Sequence, residues 1–343
     1  MTDQNPLILP YHGTAPDLAG PILSAGSGSA VLGRATIGRG LSLGARAVIR
    51  ADGHFVRIGD DFHLGDRSTV HIAHEIYPTE IGAGVTAGRN TVIHACAVGD
   101  RCCFGDDVII LDGSEIGDDA AFGDGAVVFP GTALDGGWLY EGMPAKPVRK
   151  LERAELEALH ADVRGRSDTD GPSDRPDSPE GALFIAATAR LAGDVRFAGG
   201  NGVWFSCDLD AGAHVMTIGA NTNIQDNSIL CCRESDVRIG AESTLGHNVT
   251  LTDAVVGDRS LIGIGAVVAP GTVIGDDVLV AAGARTSEGQ ILESGSFYAG
   301  NPAVRRDALD ERKRRIIAST WPRYCEYARD FDAKQTKEMV RQA

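Results

Sequence analysis

Aromatic side chains make up only 6% of this 343-residue chain, with three tryptophans among them. A core built from large rings is therefore not what the composition offers, and 44 glycines point instead to many tight turns. Basic residues are also scarce: 32 Lys and Arg stand against 47 Asp and Glu, for a formal net charge of −15. That balance weighs against nucleic acid or an anionic membrane as the main partner, because phosphates would be repelled. No apolar run is long enough to span a bilayer. The opening "MTDQNPLILPYHG" lacks the basic start and apolar core of a signal peptide, so a cytoplasmic location is expected. The seven cysteines are odd in number and include no CxxC pair, which excludes a regular disulfide framework. Reduced, mostly buried thiols are expected, the "CC" pairs at 102–103 and 231–232 included.

What is present is repetition. "IGRGLS", "IGDDFH", "IGAGVT", "VGDRCC" and "IGDDAA" crowd residues 31–131, and "IGANTN", "VGDRSL", "IGIGAV" and "IGDDVL" follow from 218. An aliphatic residue before glycine, recurring every six residues, fits neither the 3.6-residue helical period nor the alternation of a hairpin sheet. One inward aliphatic per short strand, followed by a Gly/Asp/Asn turn, describes a flat-faced solenoid whose backbone bonds run between coils.

The two runs are copies. A constant offset of 158 residues relates Arg89 to His247, His94 to Thr252 and Tyr140 to Tyr298. The expected organisation is a first solenoid over 1–150, a charged amphipathic helix over 151–166, and a flexible Ser/Asp/Pro/Gly-rich linker over 167–181. A second solenoid over 182–305 and a helical tail over 306–343 complete it. The aromatic stripe of the tail is expected to pack on the solenoid. In "TAGRNTVIHACAVGD" (86–100) and "TLGHNVTLTDAVVGD" (244–258) the same phrase carries its histidines differently: Arg89 and His94 in one, His247 and Thr252 in the other.

The hexapeptide phrases resemble the left-handed parallel β-helix superfamily, in which three hexapeptides make one triangular coil. Within it, both halves are similar to the γ-class carbonic anhydrases, whose motifs resemble "NxQDxSxLH", "GHxxxLH" and "YxGxPAK". The resemblance implies an all-β solenoid fold of two left-handed β-helix domains with flanking α-helices. It also implies a zinc ion between two prisms, with the first and third histidines from one and the middle histidine from the other. In the first half "RSTVH" gives His71 and "GRNTVIH" gives His94, while Arg89 replaces the middle ligand. In the second half "NIQDNSILC" puts Cys231 at the first position, "GHNVTLT" supplies His247, and Thr252 replaces the third. The family's Asn-x-Gln-Asp survives as Asn223, Gln225 and Asp226, against His63, Gly65 and Asp66 in the first half. Its Arg-x-Asp survives as Arg50 and Asp52, against Asp210 and Gly212 in the second. Each copy keeps one wall of a shared site, so a single composite centre of His71, His94 and His247 is expected. Its metal would be Zn2+ or a similar divalent ion such as Fe2+ or Co2+.

By the same resemblance Gln225 orients a metal-activated hydroxide, Asn223 positions substrate, and Arg50 with Asp52 ties two prisms together. His74, just after His71, is a candidate proton carrier because imidazole titrates near neutrality. The implied function is hydration or hydrolysis of a small electrophile, CO2 or another carbonyl such as a thioester or amide. Two alternatives stay open: an acyl-CoA-dependent O- or N-acyltransferase, and a metal-free binding or scaffold protein. The chain is expected to form a homo-oligomer in which first halves contact second halves, with selectivity set by loops at "RADGHF" and "HEIYPTE".

Overall fold

The computed structural model describes residues 5–167 and 181–342. Nearly all of the expected linker thus lies outside the described residues. The chain divides into two compact units, Met1–Gly171 and Pro172–Ala343.

The first unit is a left-handed parallel β-helix, and three stacked ladders of inward side chains explain why its hexapeptides coil. One face stacks Ile49, Val70, Ile93, Ile110 and Val128 in register. The next stacks Ile37, Ile58, Ile81, Val98, Ile116 and Leu134. The third stacks Leu43, Leu64, Ala87, Phe104, Phe122 and Tyr140. One aliphatic side chain per strand thus suffices to build a continuous core, since parallel coils place like residues in contact. Three aromatics fall on the third ladder, where the rings of Phe104, Phe122 and Tyr140 stack at 5.1 and 5.2 Å.

The glycine of each phrase is a spacing requirement. A Cβ on Gly88 would lie 2.6 Å from Oδ1 of Asp106 on the next coil. That oxygen accepts the Arg89 backbone N–H at 2.8 Å, so the aspartate must approach this closely. The strand Val48–Ile58 runs on past a corner and pairs along Ala30–Ile37, with a register shift between Gly33 and Ala35. "RADGHF" therefore lies inside a strand and is not the expected loop. The helix Arg153–Arg164 covers the outside of the third face, with Leu156 and Val163 against Cys103 and Ala121.

The second unit repeats this plan. Its ladders are Leu191, Leu209, Leu230, Leu251, Val268; Phe197, Ile218, Ile239, Val256, Ile274, Leu292; and Val203, Ile224, Leu245, Ile262, Val280, Tyr298. The helix Glu311–Gln342 packs on it through the expected aromatic stripe: Trp204 meets Tyr324, Tyr327 and Phe331 edge to face at 5.1 to 6.3 Å. All seven cysteines are free, and five are buried. Among the described residues no helix is long and apolar enough to cross a membrane.

Candidate metal centre

In the first unit His71 closes the strand Thr69–His71 and His94 closes Val92–His94. The strands pair in parallel with the two histidines as register partners. Because Val70 and Ile93 point into the core, the residues that follow them point outward, and both imidazoles share one surface of the coil. Both are buried, at 2% and 8% exposure.

Their hydrogen bonds fix how they meet. Nδ1 of His71 lies 3.2 Å from Nε2 of His94. On the far side, Nε2 of His71 is 3.0 Å from Oδ1 of Asp52, and Nδ1 of His94 is 2.6 Å from Oδ1 of Asp112. A carboxylate only accepts, so each outer nitrogen carries its ring's proton. The two inner nitrogens then present lone pairs to each other at 3.2 Å, an arrangement that needs a shared proton or a cation. Two nitrogens bound tetrahedrally to zinc at about 2.0–2.1 Å stand roughly 3.3 Å apart. The residues present fit a metal ion.

Asp52 is itself held by the fully buried Arg50, whose guanidinium donates to Oδ2, and Oδ1 also accepts the Gly53 N–H at 2.9 Å. Burial opposes ionisation of Asp52, but the charge of Arg50, together with the hydrogen bond from His71, outweighs it and holds the carboxyl well below its usual range. Arg50 and Asp52 thus pair with each other, and Asp52 orients a histidine. His74 stands in the turn beyond His71, with Nε2 4.0 Å from the Glu75 carboxylate. Arg89, at the position of the missing ligand, is turned along the solenoid to Asp106, with Nη2 and Nε 2.6 and 3.0 Å from Oδ2. A guanidinium so placed is a cation with no lone pair to offer.

In the second unit Cys231 and Thr252 are register partners, as the two histidines are in the first, with Sγ and Oγ1 3.2 Å apart. His247 is fully buried, with Nδ1 3.1 Å from Oδ2 of Asp226. The Asp226 carboxylate is fixed on its other side by the Phe205 N–H, 3.0 Å from Oδ1. Gln225 donates to the Asn223 amide oxygen at 3.4 Å, and Asn223 donates to Thr244 at 2.8 Å, so these three form one buried polar row.

Two residues at these histidines were not singled out from the sequence. Asp112 lies one residue past the position that the register of Ile93 with Ile110 sets one coil beyond His94, so the period alone does not find it. Tyr324, whose hydroxyl is 3.4 Å from Nε2 of His247, comes from the terminal helix, where the sequence shows only an amphipathic stripe.

A family model described as bacterial transferase hexapeptide (six repeats) matches residues 253–287. A probable carbonic anhydrase of Methanocaldococcus jannaschii is 39% identical over 132 residues, which are 38% of this chain and 82% of that protein. The mitochondrial gamma carbonic anhydrase 1 of Arabidopsis thaliana is 31% identical over 46% of this chain, which spans 59% of that protein's length. A solved structure of a putative acetyltransferase from Desulfovibrio desulfuricans, 15% identical, covers 88% of this chain and 69% of its own with a TM-score of 0.52, a likeness of fold alone. On this identity and coverage, together with the hexapeptide coils, the chain belongs to the γ-class carbonic anhydrase-like family of left-handed β-helix proteins.

Proposed function

We propose that the chain is a metal-dependent hydratase or hydrolase of the γ-carbonic anhydrase type, with one composite centre. His71 and His94 come from the first solenoid and His247 from the second. On this reading the chain is a tandem duplication whose copies have each kept one wall of the site. The observation that carries it is the 3.2 Å approach of one ring nitrogen of His71 to one of His94, with a carboxylate at the other nitrogen of each ring.

Zinc or a similar ion at three neutral imidazoles would supply Lewis acidity, bringing the pKa of water at its open position from about 15.7 towards 7. Asp52 and Asp112 hold their two rings in the tautomers that ligation needs, and Asp226 stands 3.1 Å from Nδ1 of His247. Gln225, oriented through Asn223 and Thr244, can accept or donate to a water or substrate at the site, and Asn223 adds a second amide. Arg50 keeps Asp52 ionised, and His74 can pass a proton towards solvent. The substrate is CO2 or another small carbonyl electrophile, and the working form is a cytoplasmic homo-oligomer in which first halves face second halves.

The test is metal analysis of the purified protein and of His247→Ala. The wild type is expected to hold about one divalent ion per chain, and the variant to lose most of it although the first solenoid is untouched. Unchanged metal content in that variant would remove the composite site. An acyl-CoA-dependent acyltransferase would instead keep its activity after chelation.

A further inference from the structure

The helix Glu311–Gln342 brings Tyr324 to His247. Its hydroxyl lies 3.4 Å from Nε2, while Nδ1 of the same ring faces Asp226 at 3.1 Å. When the ring's proton sits on Nδ1, the nitrogen nearest the Asp226 carboxylate, Nε2 carries the lone pair and accepts from the phenol. The lone pair that accepts from Tyr324 is the one a metal would use. The phenol ring is itself fixed: it is buried, edge to face with Trp204 at 5.1 Å and with Tyr327 at 5.5 Å.

We infer that Tyr324 is a positioning residue that caps the ligand nitrogen of His247 in the metal-free protein, so that metal binding must displace its O–H···N bond. This rests on His247 being a ligand. The bond must break before the nitrogen can ligate, and so it sets a threshold for loading. In the first solenoid the covering helix instead bonds Thr86, through His160 and Arg164 at 2.8 and 2.9 Å.

The experiment compares zinc affinity of the full chain, by competition with a chromophoric chelator, in the wild type, Tyr324→Phe and His247→Ala. Phenylalanine keeps the ring against Trp204 and Tyr327, so the melting temperature should hold. Zinc should bind Tyr324→Phe about 2- to 10-fold more tightly, the worth of one neutral hydrogen bond no longer displaced. Unchanged or weaker binding, with His247→Ala strongly impaired, would overturn the role of Tyr324 and leave the composite site standing. Unaltered binding in His247→Ala would instead remove the site itself.

Discussion

Asp112 offers the sharpest probe of the metal centre, because it acts on His94 without holding the fold. Its Oδ1 is 2.6 Å from Nδ1 of His94, and its side chain is 40% exposed. Replacing it with asparagine keeps the shape and an acceptor oxygen but removes the charge that fixes the tautomer. Loss of such a carboxylate behind a ligand histidine typically costs 10- to 100-fold in metal affinity, and solvent access here argues for the lower end, about 10-fold or roughly 1.4 kcal/mol. Stability should change by no more than about 1 kcal/mol, one partly exposed hydrogen bond. Asp52→Asn is the control with the opposite balance. It removes the carboxylate charge that pairs with the wholly buried Arg50 guanidinium, a loss of about 3–5 kcal/mol, and should weaken the fold and the metal site together. The assays are zinc competition titration and urea unfolding on each variant. Wild-type zinc affinity in Asp112→Asn would refute the tautomer argument, and so would a stability loss equal to that of Asp52→Asn.

Acid should weaken the first solenoid through His63, whose pKa burial, aided by Arg164, lowers from 6.5 to about 4. Its neutral ring belongs to the folded state, so the contribution is full above pH 6.5 and lost as pH falls towards 4, up to about 3 kcal/mol. Urea midpoints measured across that window should slope upward with pH, and less so in His63→Asn; equal slopes would disprove it. The cysteines should be largely silent: burial pushes Cys102 and Cys103 up to about 12, and only Cys231 and Cys325 are half-exposed. Native thiol titration should therefore find at most two of the seven reacting quickly, and unfolding should release the rest.

The solenoid was legible because its period is local. Aliphatic-Gly phrases six residues apart dictate one inward side chain per strand, and parallel stacking turns that into the ladders observed. The histidines were legible for the same reason, since register carries a residue to its equivalent one coil later, as His71 is carried to His94. Only the tertiary structure decided what stands behind and over them. "RADGHF" reads as a loop in sequence but lies within the strand Val48–Ile58, its first two residues paired with Leu32 and Gly33 and the rest carried across the register shift before Val56. Arg89 reads as a vacant ligand position, and only its contact with Asp106 shows where the guanidinium goes. Tyr324 reaches His247 from 77 residues away on a helix whose sequence encodes an apolar stripe and nothing of what that stripe will touch. Repeats specify their own neighbours along the axis, whereas a helix docked on the outside of a coil meets residues that no local period can name.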